Sequence, residues 1–501
     1  MQPQNSLELY THNTKYMIDT ISAPASTEQV FEAIRQVFAM QQSHQYTVAR
    51  TTAAQRIQKL KRLHTAVLRY RPEIEQALWA DLRKSPTEVA ISEIGCVNTE
   101  IRHAIRNLRS WMGQKRAKTP LPLFGSSSRV LHEPKGVCLI ISPWNFPLNL
   151  TLAPLASAIA AGNCVILKPS ESTPESARVM KKIISDCFDP AEVALFEGEA
   201  EVAQYLTALP FNHIFFTGSP QVGKKVMEAA AKNLAGVTLE LGGKCPVIVD
   251  EFANLEKAAA KITWLKNVNA GQICIAPDYV LVHEKVYEKL LALLRQTVER
   301  FYGKDTQARF ESPDLCRMIH RKHFDRVKAL LDDAVHKGAK IAFGGHTDAN
   351  ALYVVHTLLT ETPDDALIWE EEIFGPLLPI RKYNTLEAAV QYINARPTPL
   401  DMYIFSEKNA VVQYFLRETR SGGVTVNDCG VNFYNNEIPF GGVNNSGVGK
   451  AHGVYGFLEF SNARGIQYQN RYVAISDFFL PPYANFNKIK QFMLEGLAKY
   501  F

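Results

Sequence analysis

GVCLIISPWNFPLNLTLAPLASAIAAGNCVIL, residues 136–167, carries no charged side chain and is long enough to cross a bilayer. Three prolines and three asparagines interrupt it. Proline removes a hydrogen bond from a helix, and a lipid-facing segment must satisfy all of its own backbone groups, so a membrane span is disfavoured. The run instead predicts a buried strand over 137–142, a Pro-bounded loop, a small-residue helix over about 150–161 and a second buried strand over 164–167. Uninterrupted apolar strands are typical of a parallel sheet that helices cover on both faces.

The chain on both sides of this run has a similar organisation. Thr173-Pro174-Glu175 favours the start of a helix. We further predict a strand over 213–217, a helix over 221–234, a strand over 237–241 and a second alternating block over 255–440. Such alternation predicts βαβ units and an α/β fold. On the N-terminal side we expect helices over 51–112, extended chain within 115–135, and a peripheral extension over the polar residues 1–48.

Composition excludes several classes of protein. The chain has 501 residues, 46% of them hydrophobic, and 55 Lys+Arg stand against 50 Asp+Glu. That balance predicts a folded protein and gives no electrostatic reason for binding nucleic acid. The eight cysteines form no C-x-x-C pair, so neither a disulfide framework nor a metal site is expected. No signal peptide is visible, and we expect a cytoplasmic protein.

Residues 217–225, TGSPQVGKK, lie between a predicted strand and a predicted helix. Glycines at such a junction let the backbone approach a phosphate at the helix N-terminus. The string is one residue short of a P-loop, because Lys225 replaces the Ser or Thr that would bind Mg²⁺. A phosphate-bearing ligand and a plain strand–helix turn both remain open, and an NTPase is disfavoured.

Two residues have side chains suited to catalysis. Glu240, in LELGGK over 239–244, sits between leucines, and burial would raise its pKa towards that of a general base. A structural ion pair with Lys244 is the alternative. Cys274, in NAGQIC over 269–274, follows a glycine-led turn that could expose a nucleophilic thiol, although most cysteines should be structural.

Other polar groups in Gly- or Pro-rich loops, where α/β proteins bind ligands, lie in PWNFP over 143–147, KPSE over 168–171, EEIFGP over 371–376 and PFGG over 439–442.

Taken together, these strings resemble the aldehyde dehydrogenase superfamily. LELGGK, NAGQIC and EEIFGP occur in the family's order within about residues 50–465, and Glu240 precedes Cys274 by 34 residues (274 − 240). ICIAPDYV, PFGGVNNSGVGKAHG and SDFFLPPY are similar to the class 3 branch, which includes fatty and aromatic aldehyde dehydrogenases and bacterial relatives. Ile273 departs from the pattern, because many members have Thr there, and could reshape the substrate pocket.

The resemblance implies oxidation of an aldehyde to its acid with NAD, or with NADP. Cys274 would attack the aldehyde to form a thiohemiacetal and then a thioester. Asn145 and the backbone N–H of Cys274 would form the oxyanion hole, and Glu240 would activate water. Cofactor contacts would come from Trp144, Lys168, Glu171, Gly218, Ser219, Gly223, Glu372 and Phe374. Phe433 and Tyr434 could line the entrance for a medium or long aliphatic, or aromatic, aldehyde.

The resemblance also implies a domain organisation and an assembly. It predicts a Rossmann-like nucleotide domain over 49–239, an α/β catalytic domain over 240–440, and a return to the nucleotide domain with a bridging strand over 441–475. A small β bridging element, including 115–135, would pair with a second copy in a homodimer. Residues 476–501 would form an amphipathic tail with Phe486, Ile489, Phe492, Met493 and Leu497 on one face, which docks on its own subunit or the partner, covers a substrate funnel or contacts a membrane surface.

Three alternatives remain open at this point. A CoA-acylating relative would transfer the acyl group to CoA, which needs no water-activating Glu240. A non-catalytic structural paralogue would be expected to have lost Cys274 or Glu240. A cysteine hydrolase would leave the nucleotide-binding strings without a role.

Overall fold

The computed structural model describes residues 26–120, 123, 125–472, 480–482, 491, 495, 496 and 498. Its strands are Lys115–Ala117 (β1), Ser127–Pro134 (β2), Val137–Ile141 (β3), Cys164–Lys168 (β4), Val193–Leu195 (β5), His213–Gly218 (β6), Gly236–Leu241 (β7), Pro246–Val249 (β8), Tyr279–His283 (β9), Lys340–Phe343 (β10), Thr347–Asp348 (β11), Tyr353–Val354 (β12), Thr357–Thr360 (β13), Leu377–Tyr383 (β14), Asp401–Phe405 (β15), Gly423–Val426 (β16), Gly447–Val448 (β17) and Ser461–Tyr468 (β18). The fold is α/β, as the alternating pattern predicts.

The α-helices alternate with these strands over most of the chain. They are Thr27–Ala49 (α1), Ala53–Arg69 (α2), Arg71–Leu82 (α3), Pro86–Val89 (α4), Gly95–Trp111 (α5), Pro147–Ala161 (α6), Pro174–Cys187 (α7), Ala200–Ala208 (α8), Pro220–Ala231 (α9), Leu255–Asn267 (α10), Tyr287–Tyr302 (α11), Thr306–Glu311 (α12), Arg321–His336 (α13), Leu386–Asn394 (α14), Asn409–Glu418 (α15) and Gly453–Glu459 (α16). A π-helical turn, Ala90–Ile94, joins α4 to α5.

The uncharged run folds as its sequence predicts. β3 and β4 are parallel and wholly buried, and α6 connects them. The helix begins three residues before the predicted start, because Pro147 occupies the first turn, where its missing N–H costs nothing. In the part of the chain that the structure describes, no helix is long and apolar enough to cross a bilayer.

The first sheet has the strand order β17-β7-β6-β3-β4-β5. The chain runs outward from β3 through β4 to β5 and then returns to the other side of β3 with β6 and β7. Loops that follow β3 and β6 therefore diverge from a topological switch point, where open α/β sheets bind ligands. β17 runs antiparallel to β7 and places Gly447 opposite Glu240.

The second sheet has the order β10-β13-β14-β9-β8-β15-β16 and is parallel apart from its edge strand β10. A third, antiparallel sheet is built from β1, β2 and β18. In it β18 pairs with β2 from Ser461↔Pro134 to Tyr468↔Ser127, so the predicted extended segment joins a strand from the C-terminal region.

The prediction for residues 1–48 needs a correction. Residues 27–48 lie within α1, and its residues Ile34, Val37 and Phe38 are buried against the first sheet. The Gln41 amide donates to the carbonyl oxygens of Val165 and Pro190 at 3.1 and 2.9 Å. This part of the segment therefore belongs to the packed fold. Residues 1–25 lie outside the described residues, as do the five apolar positions of the C-terminal tail, Phe486, Ile489, Phe492, Met493 and Leu497.

Candidate active site

The Cys274 loop has an unusual backbone conformation. It follows α10 through a short turn in which Asn269, Ala270 and Gly271 all have positive φ, of 50°, 53° and 73°. Gly271 is required there, because a Cβ atom would lie 2.4 Å from the carbonyl oxygen of Gly375. All eight cysteines are free, and Cys274 is half-buried whereas the other seven are buried. The loop therefore presents this thiol differently from every other thiol of the chain.

Hydrogen bonds hold this strained loop in place. The Gln272 amide donates to the carbonyl oxygens of Asn269 and Arg317 at 2.9 and 3.0 Å. Its Oε1 accepts from the N–H of Ile319 at 3.1 Å. The Asn269 N–H donates to the Glu88 carboxylate at 2.9 Å. Because positive φ costs about 1–3 kcal/mol at a non-glycine residue, such a loop persists only when its surroundings fix it.

Asn145 lies in the loop between β3 and α6 and is buried. Its side-chain Nδ2 donates to the carbonyl oxygen of Gln272 at 3.0 Å. Its own carbonyl oxygen accepts from Asn269 Nδ2 at 2.9 Å. The amide of Asn145 is therefore tied to the turn that carries Cys274, although the two residues belong to different sheets.

Glu240 lies near the end of β7, buried, and neither of its carboxylate oxygens has a hydrogen-bond partner among the described residues. Burial raises its pKa well above the usual value, with Lys450 opposing this effect and Glu459 adding to it. The alternative pairing with Lys244 is wrong: Lys244 binds the buried carboxylate of Asp278. Glu240 is thus a carboxyl group with free oxygens and a raised pKa.

The Cys274 thiol has a raised pKa in this environment. Burial is the main cause, and the negative charges of Glu372 and Glu240 add to it. The thiol is therefore protonated at neutral pH and must lose its proton before or during nucleophilic attack. Glu372 and Glu240 are therefore the acidic groups whose charges act most strongly on this thiol.

Two cavities meet at Cys274. One, of about 560 Å³, also contains Glu240, Thr217 and Phe433. The other, of about 520 Å³, is lined by Phe146, Leu150, Trp264, Leu265, Ile273, Phe433 and Tyr434, among others. Both are predominantly apolar. The structure therefore brings the two predicted substrate residues, Phe433 and Tyr434, to a cavity that leads to the thiol.

A third group of predicted residues gathers at the carboxyl ends of β4 and β6. Lys168 is buried at the end of β4 and donates to Glu171 at 3.1 Å. Gly218 ends β6, and Ser219 caps α9 by accepting a hydrogen bond from the N–H of Val222 at 3.4 Å. Gly223 lies in the first turn of α9, where a Cβ atom would approach Leu241 Cδ2 to 2.7 Å, so glycine is needed for close helix–strand packing.

Glu372 and Phe374 lie in the loop before β14, and Trp144 lies in the loop after β3. Burial and the nearby Asp278 raise the pKa of Glu372 to about 8. Its buried Oε1 has no hydrogen-bond partner among the described residues. Phe374 has a positive φ of 45° and meets the ring of Trp144 edge-on, with 5.4 Å between centroids.

Sequence reasoning missed several side chains of the site. His323 lies 4.9 Å from the Trp144 ring, and Arg326 donates to the carbonyl oxygens of Glu372 and Ile373 at 3.0 and 2.6 Å. Both lie on α13, whose sequence reads as an ordinary amphipathic helix. A buried ion pair between Lys84 and Glu93, behind Asn145, was also missed. Within the described residues no cluster of His, Cys, Asp and Glu side chains is arranged to hold a metal ion.

Comparisons with known proteins agree with this geometry. The aldehyde dehydrogenase family model matches residues 2–466. The 4,4'-diaponeurosporen-aldehyde dehydrogenase of Staphylococcus aureus is 44% identical over 438 residues, which are 87% of this chain and 94% of the relative. Aldehyde dehydrogenase family 3 member B1 of Rattus norvegicus is 39% identical over 88% of this chain and 93% of the relative.

Similarity to a solved structure extends over nearly the same length. The substrate-bound state of Staphylococcus aureus AldH has a TM-score of 0.86 and 42% sequence identity, and the match covers 92% of this chain and 99% of that chain. The α/β fold is therefore that of an aldehyde dehydrogenase, and the class 3 resemblance of the sequence is confirmed. The chain belongs to the aldehyde dehydrogenase family and is an aldehyde dehydrogenase enzyme.

Proposed function

We propose that this enzyme oxidises an apolar aldehyde to its carboxylic acid, with Cys274 as nucleophile, Asn145 as oxyanion-hole donor and Glu240 as general base. The observation that carries the proposal is the position of Cys274. Its thiol lies where an apolar cavity meets the cavity that contains the unpartnered carboxylate of Glu240. One side can admit an aldehyde, and the other can hold the water that releases the acid.

The first half of the reaction joins the aldehyde to the protein. The sulfur of Cys274 adds to the carbonyl carbon, the thiol proton passes to water in the adjoining cavity, and the electron pair of the C=O π bond moves to the carbonyl oxygen, which becomes an oxyanion. One N–H of Asn145 Nδ2 donates to the Gln272 carbonyl, and its second N–H, together with the backbone N–H of Cys274, would stabilise that charge. Loss of one such donor typically costs about 10²–10³ in rate. A bound NAD(P)⁺ would supply the hydride acceptor that converts this adduct into a thioester.

The second half of the reaction is hydrolysis of the thioester. Glu240 takes a proton from water, the resulting hydroxide attacks the acyl carbon, and the thiolate of Cys274 leaves. A base with a raised pKa suits this step, because general-base catalysis is most efficient when the pKa of the base lies near the operating pH. The two free oxygens of Glu240 leave room for the water to bind.

The predicted cofactor residues fit a nicotinamide dinucleotide. The unpartnered Oε1 of Glu372 can accept a hydrogen bond from a ribose hydroxyl, and the adjoining rings of Phe374 and Trp144 offer aromatic surface. Lys168 and Glu171 can hold the other ribose, with the diphosphate near Gly218, Ser219 and Gly223 at the N-terminus of α9. The carboxylate of Glu171 would repel a 2′-phosphate, which favours NAD over NADP, although NADP remains compatible with the Lys168 ammonium.

The lining of the second cavity supports an apolar substrate. Ile273, Leu265 and Phe433 contribute apolar surface beside the thiol. A medium or long aliphatic aldehyde, or an aromatic one, would bury its apolar part there, at about 25 cal/mol per Å² of surface removed from water. The relative named for 4,4'-diaponeurosporen-aldehyde is in keeping with this proposal.

The CoA-acylating alternative receives less support, because that chemistry would leave the buried charge of Glu240 without a function. We therefore expect the free acid as product whether or not CoA is present. A non-catalytic paralogue is disfavoured because Cys274, Asn145 and Glu240 are all present and adjacent to the cavities.

The experiment that tests this function is a series of straight-chain and aromatic aldehydes with NAD⁺ or NADP⁺, with acid, acyl-CoA and reduced cofactor measured together. We expect one acid per reduced cofactor and a kcat/KM that rises with chain length. Cys274→Ala should abolish turnover, whereas Cys187→Ala, in a buried thiol of α7, should leave it intact. No reduction of either cofactor across the series, or turnover by Cys274→Ala, would refute the proposal.

We further propose that two copies assemble through the sheet of β1, β2 and β18. A sheet edge with unpaired backbone groups needs a cover, and a second copy could supply one. Light scattering should give twice the mass of 56.1 kDa. A monomer at micromolar concentration would contradict this assembly.

A further inference from the structure

Lys84 is a fully buried lysine between α3 and α4 that neither cavity touches. Its Nζ donates to Glu93 Oε1 at 2.7 Å and to the carbonyl oxygen of Asn145 at 3.0 Å. It also lies 4.0 Å from the centre of the Phe146 ring. An ammonium group is costly to bury unless it is paired and hydrogen-bonded, and each of these three contacts reduces that cost.

Glu93, the partner of Lys84, lies in the π-helical turn Ala90–Ile94 and is also fully buried. Its second oxygen, Oε2, accepts from the backbone N–H of Asn149 at 2.9 Å. The ion pair therefore hydrogen-bonds to the main chain at two positions. Lys84 binds the carbonyl of Asn145, and Glu93 binds the N–H of Asn149 in the first turn of α6. π-Helical turns are rare and occur frequently at functional sites.

The carbonyl oxygen of Asn145 is held from both sides. Lys84 Nζ and Asn269 Nδ2 donate to it at 3.0 and 2.9 Å, so that both of its lone pairs are used. With the main chain fixed in this way, the direction in which the Asn145 side chain leaves the backbone is fixed as well. Asn269 belongs to the Cys274 loop, and Lys84 belongs to the helices packed behind α6.

We propose that Lys84 is a positioning residue, which fixes the backbone of Asn145 so that its amide points at the oxyanion formed on Cys274. Glu93 compensates the charge of Lys84 and anchors α6. The proposal rests on the role given to Asn145 under the proposed function. Loss of Lys84 should therefore lower kcat and leave KM almost unchanged, because Lys84 lines neither cavity and all of its contacts are with other protein groups.

A purely structural ion pair makes a different prediction. Removing one partner of a buried pair leaves an uncompensated charge and destabilises strongly, whereas replacing both partners by neutral groups is often tolerated. If Lys84 only stabilised the fold, Lys84→Met/Glu93→Gln would recover activity together with stability. If Lys84 positions Asn145, the double variant recovers stability and stays slow.

The experiment compares Lys84→Met, Lys84→Met/Glu93→Gln, Asn145→Ala and Lys84→Met/Asn145→Ala in the full-length enzyme. Tm, kcat and KM for aldehyde oxidation are measured, with hydrolysis of a p-nitrophenyl ester as a second readout that needs acylation of Cys274 and no cofactor. Lys59→Met is the matched control, because Lys59 pairs with Glu192 at 2.7 Å in a partly buried ion pair outside the site.

We expect Lys84→Met/Glu93→Gln to regain most of the Tm lost in Lys84→Met, with kcat about 10–10²-fold below wild type in both readouts and KM almost unchanged. Lys84→Met/Asn145→Ala should be no slower than Asn145→Ala, because the two residues act as one unit. Lys59→Met should lower Tm and leave kcat unchanged. If Lys84→Met does not fold, Lys84→Met/Glu93→Gln carries the comparison with wild type, and Asn145→Ala is combined with that double variant.

Two results would overturn the positioning role while leaving the proposed function intact. One is a wild-type kcat in Lys84→Met/Glu93→Gln when Asn145→Ala is slow. The other is a loss from Lys84→Met that multiplies with the loss from Asn145→Ala. A wild-type kcat in Asn145→Ala would overturn the oxyanion role of Asn145 itself and the positioning role with it.

Discussion

Replacing Glu240 by glutamine removes the proposed base and changes almost nothing else. The carboxamide has the shape of the carboxyl group, but it cannot take a proton from water. Attack by Cys274 and formation of the thioester do not need Glu240 as a base for water, so they should survive. We therefore expect a single fast turnover followed by an enzyme that stalls as its thioester.

General-base catalysis typically contributes about 10²–10⁴-fold, so the steady-state rate of Glu240→Gln should fall by that factor. At 1.36 kcal/mol per tenfold, this corresponds to about 2.7–5.4 kcal/mol of transition-state stabilisation. The same substitution, which lowers the rate, should not lower the stability of the folded protein. Because burial raises the pKa of Glu240, the native protein keeps a proton that the unfolded chain loses above pH 4.5, so wild-type stability falls as pH rises. Glu240→Gln lacks that loss and should be at least as stable as wild type at pH 8.

The assay is rapid mixing of enzyme, NAD⁺ and aldehyde with detection of reduced cofactor. A burst of about one reduced cofactor per Cys274, followed by the slow steady state, is expected. Glu100→Gln is the matched control, because Glu100 lines the same cavity but its oxygens already accept from Asn436 and Gly453 at 2.8 and 2.9 Å. That control should show no stalled burst. A wild-type steady state in Glu240→Gln, or loss of its first turnover, would refute the reasoning.

Four further predictions follow from the cofactor cleft and the substrate cavity. Gly223→Val should lower Tm and weaken cofactor binding in a fluorescence titration, since the new side chain displaces Leu241; unchanged binding would contradict the packing argument. Between pH 4.5 and about 8 the native state holds a proton on Glu372 that the unfolded chain has lost, so the free energy of unfolding falls as the pH rises. Urea melts of Glu372→Gln should show a shallower fall of that free energy with pH. An identical pH dependence in wild type and variant would contradict the raised pKa of Glu372. Phe433→Ala should raise kcat/KM for bulky aromatic aldehydes relative to short aliphatic ones, and a uniform change would remove Phe433 from the substrate path. Glu171→Gln should raise the NADP⁺/NAD⁺ ratio of kcat/KM by at least about tenfold, and an unchanged ratio would exclude the proposed repulsion.

Features set by local sequence could be predicted. The uncharged run specified β3, α6 and β4, because hydrophobic periodicity and proline positions act over a few residues. Polar residues at strand ends, such as Asn145 and Lys168, could be placed near a site because parallel strands end at one edge. Their roles depended on resemblance to a family, since spacing alone left Glu240 and Cys274 with structural alternatives.

Features set by packing between distant segments could not be predicted. Lys244 is close to Glu240 in sequence, which suggested an ion pair between them. In the structure Lys244 instead pairs with Asp278, 34 residues away (278 − 244). Lys84 follows the left-handed Arg83, and Pro86 and the start of the π-helical turn Ala90–Ile94 lie between it and Glu93, so no single helical period brings them together. The helix Thr27–Ala49 was missed because five glutamines, among them the buried Gln41, and His44 interrupt its apolar pattern.

The attachment of Asn145 and Cys274 to different sheets has a consequence for how the enzyme gains activity. Each sheet can acquire its strands and helices from its own part of the chain, but the amide and the thiol meet only when the two layers dock. Recovery of helix and strand content during refolding should therefore precede recovery of turnover. Until docking is complete, the thiol lacks the oxyanion donor Asn145 and the proposed base Glu240, so a half-assembled chain cannot complete a turnover.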